Sequence, residues 1–134
     1  MRSRLIIVLV LAAAGCGSRV RQPEVPAGPS LKVMSWNVNW GGPGADLAVK
    51  AILDADADIV CLQETTGEWE AFMRRYLADR YPFMAFRSPS RRYAGGCGFL
   101  SKQRGEEVAC VPSSTGWFNA FIMQFPTPIG PVQV

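Results

Sequence analysis

An asparagine that closes one apolar run and a glutamate that closes the next are the residues here best suited to chemistry. Asn37 sits in Trp36-Asn37-Val38-Asn39-Trp40 at the end of the first run, and Gln63-Glu64 ends the second, DIVCLQE. A hard cation such as Mg²⁺ prefers a carboxylate with neutral oxygen ligands and keeps several of its waters. Glu64 and the Asn37 amide oxygen, brought to one strand edge, can therefore seat it. Each residue taken alone also fits a local role, since a Glu ahead of a helix can cap it and an Asn ending a strand forms turns. The sequence limits what such a site can do: among 134 residues there is no histidine. A mechanism that needs an imidazole base cannot be completed by these residues.

Positioning the pair requires two strands that end together. Leu31 to Val38, LKVMSWNV, is an almost continuous apolar run of the kind buried on both faces. A Gly-Gly-Pro-Gly break follows, and Leu47, Ala48, Ala51, Ile52 and Ala55 then recur at helical spacing, predicting a helix over Ala45 to Ala55. Asp58 to Glu64 reads as a second buried strand. Strand, short helix and strand make a βαβ unit with parallel strands and a right-handed crossover, so Asn37 and Glu64 reach the same sheet edge. A second helix is predicted from Gly67 to Arg80. Trp69, Phe72, Met73, Tyr76 and Leu77 line one face, Thr65 and Glu68 form a capping box, and Arg74, Arg75 and Arg80 complement the C-terminal end. Strands are expected at Phe83 to Arg87, Gly98 to Lys102, Glu106 to Val111 and Gly116 to Phe125. Pro126, Pro128 and Gly130 mark a turn before a last strand opens in Pro-Val-Gln-Val.

With 49% hydrophobic and 19% charged residues, the composition is that of one globular domain and excludes a disordered tail, a collagen-like repeat and a coiled coil. No segment reaches the 18 apolar residues of a membrane span. The start of the chain is different in kind. Arg2 and Arg4 precede an unbroken apolar run from Leu5 to Ala14, too short to span a bilayer but right for a signal peptide. The run closes as Ala-Ala-Gly-Cys and resembles a bacterial lipoprotein signal, which implies lipidation at Cys16, export and anchoring at the cell envelope. With Gly17 after the cysteine, the destination is the outer membrane if the cell is Gram-negative. Residues 1–15 are thus read as signal peptide and 16–30, rich in Pro and Gly, as a tether. Removing the signal takes away two arginines and lowers the formal charge of +3, which argues against a strongly basic nucleic-acid binder. Locally, acids dominate Asp46 to Glu70 and bases dominate Arg74 to Arg104. Such segregation fits solvated faces, or a site that holds a cation beside an anionic substrate.

The ordered set LKVMSWNVNW, ADIVCLQET, YPFM and GGCGFLSK resembles the endonuclease/exonuclease/phosphatase superfamily, the metal-dependent phosphodiesterases related to DNase I, over Leu31 to Val134. The resemblance implies an α/β fold, here the N-terminal half of a DNase I-like four-layer α/β/β/α sandwich with two facing sheets. It implies Mg²⁺ (or Mn²⁺) held by Asn37 and Glu64, with Asn39 beside the metal and Trp36, Val38 and Gln63 serving packing and orientation. It also implies a phosphate-ester substrate: nucleic acid, phospholipid or a small phosphate ester.

The family's later motifs, a mid-domain His, an Asp-x-Asn set and a C-terminal Asp-His pair, do not occur in this sequence. The expectation is therefore a partial domain over 31–134 with one sheet face uncovered and no catalytic residue of its own. In SPSRRYAGGCGFLSK, Tyr93 stands where family members place a groove-lining tyrosine. Arg91 and Arg92, with Arg87, carry guanidinium groups suited to phosphates, although arginines on a Ser/Pro-rich loop are ordinarily just solvated. Cys61, in the second apolar run, reads as a core thiol. A hairpin of Gly98 to Lys102 with Glu106 to Val111 would set Cys97 opposite Cys110, in reach of a disulfide. Two functions follow from different classes: a lipid-anchored, metal-dependent phosphoesterase, or a non-catalytic exported lipoprotein that binds a partner.

Overall fold

The computed structural model describes residues 27–39, 44–87, 95–114 and 119–134. The signal peptide with Cys16, Trp40, and the Arg91, Arg92 and Tyr93 group lie outside the described residues.

Strand β1 (Val33–Asn37), helix α1 (Ala45–Ala55) and strand β2 (Ile59–Thr65) form the expected βαβ unit, with β1 and β2 parallel from Val33 opposite Ile59 to Asn37 opposite Gln63. Helix α1 stops at Asp56, whose backbone turns left-handed at φ 46° and donates its N–H to the Ile52 carbonyl at 3.1 Å. Helix α2 (Gly67–Leu77) starts where the sequence pattern placed it, but with a different cap. Its cap is Thr66, whose hydroxyl accepts the Trp69 N–H at 3.3 Å, while Thr65 is buried as the last residue of β2. The helix also ends before Arg80, which is released into a turn and pairs with Asp56 instead. Strands β3 (Phe83–Arg87) and β4 (Gly96–Ser101) complete a four-stranded sheet in the order β1-β2-β4-β3.

Both helices pack on one face of this sheet. Ile52 from α1, Met73 and Leu77 from α2, Tyr81, Val60, Leu62 and Leu100 form its fully buried centre. Each such aliphatic side chain contributes about 1.5–3 kcal/mol relative to exposure, which is why the helical spacing of these residues decides the fold here. On the other face lies a second sheet of β5 (Glu106–Val111), β6 (Ala120–Phe125) and β7 (Val132–Gln133), antiparallel in that order. Met123 and Phe125 of β6 pack on Ile59 and Phe99, and the Phe125 ring meets Phe83 edge-on at 5.9 Å. The described residues thus form an α/β fold of three layers, helices, sheet and sheet.

Two expectations are corrected. β1 is an edge strand rather than one buried on both faces: Val33 remains 46% exposed, because the second sheet covers Ile59 and Phe99 and stops short of β1. β4 and β5 do not form a hairpin. Both sides of β4 are already taken by β2 and β3, so the turn after Ser101 carries the chain into the other sheet, where β5 pairs with β6. Gly105 makes this crossing, since a Cβ there would lie 2.3 Å from the Phe125 ring. Cys97 and Cys110 consequently sit on strands of different sheets, and Cys61, Cys97 and Cys110 are free thiols. Strand β5 lies open along most of its length, with Val108 and Val111 half-exposed. No helix among the described residues is long and apolar enough to cross a membrane.

Candidate metal centre

The topology collects strand ends at one edge. β1, β2 and β3 run in the same direction and β4 runs against them, so Asn37, Gln63, Cys97 and Arg87 form one row of register partners across the sheet. Beyond that row the regular ladder fails in two places. Asn39 takes a left-handed backbone (φ 50°) and donates its N–H to the Asn37 Oδ1 at 2.8 Å, an Asx turn that fixes the Asn37 side chain. In β2 the pairing slips between Gln63 and Thr65, and Glu64 bulges out with φ 58°. A left-handed glutamate costs on the order of 1–3 kcal/mol and persists only where its surroundings impose it.

The outcome is a contact between the two strand ends. Asn37 Nδ2 donates to Glu64 Oε1 at 2.8 Å, and beneath it Gln63 Nε2 donates to Ser35 Oγ at 2.9 Å. Asn37 and Glu64 therefore meet as their motifs predicted, and Asn39 orients Asn37 through its backbone rather than its side chain. Ser35 was not singled out by its residue type. Its place two residues before Asn37, on the same side of β1, is the only signal that could have found it.

The Glu64 carboxylate and the Asn37 amide oxygen, which keeps a second lone pair, suit a small oxygen-seeking cation that retains water. Among the described residues no group of three His, Cys, Asp or Glu side chains gathers around this pair. Arg87 ends β3 on this same edge and is engaged with Glu107 of the second sheet.

The remaining charges explain the segregation seen in the sequence. At the opposite edge Arg80 Nε donates to Asp56 Oδ1 at 2.7 Å. Lys102 reaches Asp58 Oδ1 at 3.0 Å and Asp56 Oδ1 at 3.2 Å. Hydrogen bonds from Arg80 and Lys102 hold the Asp56 carboxyl below its ordinary range. Burial pushes the Asp58 carboxyl up, but the Lys32 N–H and Lys102 outweigh it and bring it down. Acids of the first stretch thus neutralise bases of the second, far from Glu64. Burial raises the Cys61 thiol and pushes Cys97 up to about 11, leaving both as inert core thiols.

Comparison with known proteins gives a family and a fold. A family model described as Endonuclease/Exonuclease/phosphatase family matches residues 34–131. Among solved structures, the crystal structure of TDP2 from C. elegans is similar with a TM-score of 0.63 and 19% identity, covering 77% of this chain and 33% of that one. A truncated Caenorhabditis elegans TDP2 is similar with a TM-score of 0.57 and 16% identity over 70% of this chain and 40% of that one. This chain therefore spans about a third of the length of the first of these structures. No curated protein sequence matches it.

Proposed function

The chain belongs to the endonuclease/exonuclease/phosphatase family, and on that premise we propose that it carries the metal-binding residues of a metal-dependent phosphoesterase. The observation that carries this reading is the 2.8 Å contact between Asn37 and Glu64 at one sheet edge, with Glu64 held in a left-handed bulge. Mg²⁺ or Mn²⁺, when bound, polarises a phosphoryl group and stabilises the leaving oxygen. The protein's part is to hold the cation: Glu64 supplies the charge, Asn37 a neutral oxygen, and the Asn39 turn and the Gln63–Ser35 bond keep both in place. No histidine is present among these residues to take a proton from water. The substrate is a phosphate ester: nucleic acid, phospholipid or a small ester. The N-terminal pattern supports export and attachment to the membrane through lipid on Cys16.

The test is Mn²⁺ binding followed by electron paramagnetic resonance. At full water screening a divalent ion and a carboxylate about 4 Å apart still attract by roughly 2 kcal/mol, so Glu64→Gln should weaken binding about thirtyfold. Glutamine keeps the acceptor that Asn37 uses, so the fold should persist. Asn37→Ala should weaken binding less. A Glu64→Gln chain that unfolds while affinity per folded molecule stays unchanged would make Glu64 a structural residue and refute the site.

A further inference from the structure

Gly96 stands directly across the sheet from the bulge. In a regular ladder residue 64 would oppose Gly96, after Gln63 opposite Cys97; instead Thr65 occupies that place and Glu64 is squeezed out of the pairing. The fit is close. A Cβ at Gly96 would lie 2.1 Å from the Thr65 carbonyl oxygen, 2.9 Å from its carbonyl carbon and 2.8 Å from Oγ1. The nearest of these atoms is backbone, so no rotamer change can make room for it. The cradle is dry as well: Thr65 is 1% exposed and its hydroxyl has no hydrogen-bond partner among the described residues. Burying an unpaired hydroxyl is unfavourable, and so is a left-handed glutamate, yet both occur at the one step where the strand departs from regular pairing. Bulges that re-aim a side chain behave in this way.

We infer that Gly96 is a positioning residue: the absence of a side chain there lets Thr65 seat against β4, and that seating turns the Glu64 carboxylate off the sheet and toward Asn37. The inference rests on the metal reading above and adds to it a residue that touches neither cation nor substrate. With a side chain at position 96, Thr65 is lifted, the ladder loses its reason to slip, and Glu64 swings away from Asn37. Gly105 provides the contrast. It is equally crowded, against Phe125, but serves the junction between the sheets.

The experiment measures Mn²⁺ affinity per folded molecule on the 134-residue chain, on Gly96→Ala, Glu64→Gln and Gly105→Ala, and on the Gly96→Ala/Glu64→Gln double variant, together with their thermal midpoints. Gly96→Ala should weaken Mn²⁺ binding about 10- to 100-fold, the usual effect of losing a residue that orients a metal ligand. In the Glu64→Gln background the same change should cost nothing further, because Gly96 acts only through Glu64. Gly105→Ala should lower the midpoint and leave affinity alone. Should Gly96→Ala fail to fold, a chain with Gln63→Glu and Glu64 deleted restores a regular ladder while keeping a carboxylate one residue away; it should fold and not bind Mn²⁺. Parental affinity in Gly96→Ala or in the deletion chain overturns the inference, and so does an additive loss in the double variant. If Glu64→Gln leaves affinity unchanged, the metal reading falls and this inference with it. If Glu64→Gln loses binding and Gly96→Ala does not, this inference alone fails.

Discussion

Phe125→Ala should separate the two halves of this fold while sparing the candidate site. Phe125 is fully buried, lies under Gly105 and contacts Phe83 edge-on. Truncating a buried Phe to Ala costs about 3–5 kcal/mol in lost transfer energy and residual cavity. Among the described residues the core between the sheets has four buried residues, Ile59, Phe99, Met123 and Phe125, against twelve on the helix side. A loss of that size is a large share of the roughly 5–15 kcal/mol that stabilises a domain. It falls on the smaller core, so the second sheet should open by itself before the first. Native-state hydrogen exchange reads this directly. The Met123 amide, bonded to the Val134 carbonyl at 2.9 Å, should exchange on the order of a hundredfold faster or more, since each 1.4 kcal/mol is tenfold. Amides of Val60 and Leu62, in the centre of the helix-backed sheet, should be little changed. Mn²⁺ affinity should persist, because Asn37 and Glu64 stand on that sheet. Equal acceleration in both sheets would refute the reasoning, showing one cooperative unit in which the helix side does not stand alone.

Below the ordinary aspartate value of 3.8, stability should fall as Asp56 and Asp58 protonate. A carboxyl held low in the folded state contributes above its unfolded pKa and loses that contribution as pH drops through the folded value. Asp58→Asn should therefore be destabilised relative to the parent at neutral pH and converge with it in strong acid, as followed by circular dichroism. Under mildly alkaline conditions a thiol reagent should modify exposed Cys110 first and reach Cys61 and Cys97 only on unfolding, since burial raises both thiols; mass spectrometry of partly labelled protein decides this. The purified 134-residue chain should hydrolyse model phosphodiesters no faster than background, and metal-dependent turnover lost on Glu64→Ala would contradict that. Cys16→Ser should yield an unprocessed or soluble form, and unchanged membrane fractionation would count against lipidation.

What the sequence determined was the set of elements and the pair of residues at their ends. Helical spacing marked Leu47, Ala48, Ala51, Ile52 and Ala55 on α1 and Trp69, Phe72, Met73, Tyr76 and Leu77 on α2; Ala48, Ile52, Trp69, Met73 and Leu77 are buried as the 3.6-residue repeat requires, while Leu47 and Tyr76 stay exposed. The short connection through α1 makes β1 and β2 parallel, and parallel strands must end together, so Asn37 and Glu64 were bound to meet. Partner choice was not legible. Gly98 to Lys102 and Glu106 to Val111 read locally as a hairpin, and only the competition of β2 and β3 for both sides of β4 sends β5 to another sheet, so that Cys97 and Cys110 are not register partners in one ladder. Likewise an apolar run shows that Val33 can be buried, whereas its exposure depends on how far the second sheet reaches. The bulge at Glu64 is of this second kind. Nothing in IVCLQET marks an extra residue; it arises because Thr65, and not Glu64, fits against the bare backbone of Gly96 on a strand more than thirty residues away. Local periodicity is fixed by neighbours in the chain, while register is fixed by whichever partner strand leaves the fewest backbone groups unpaired.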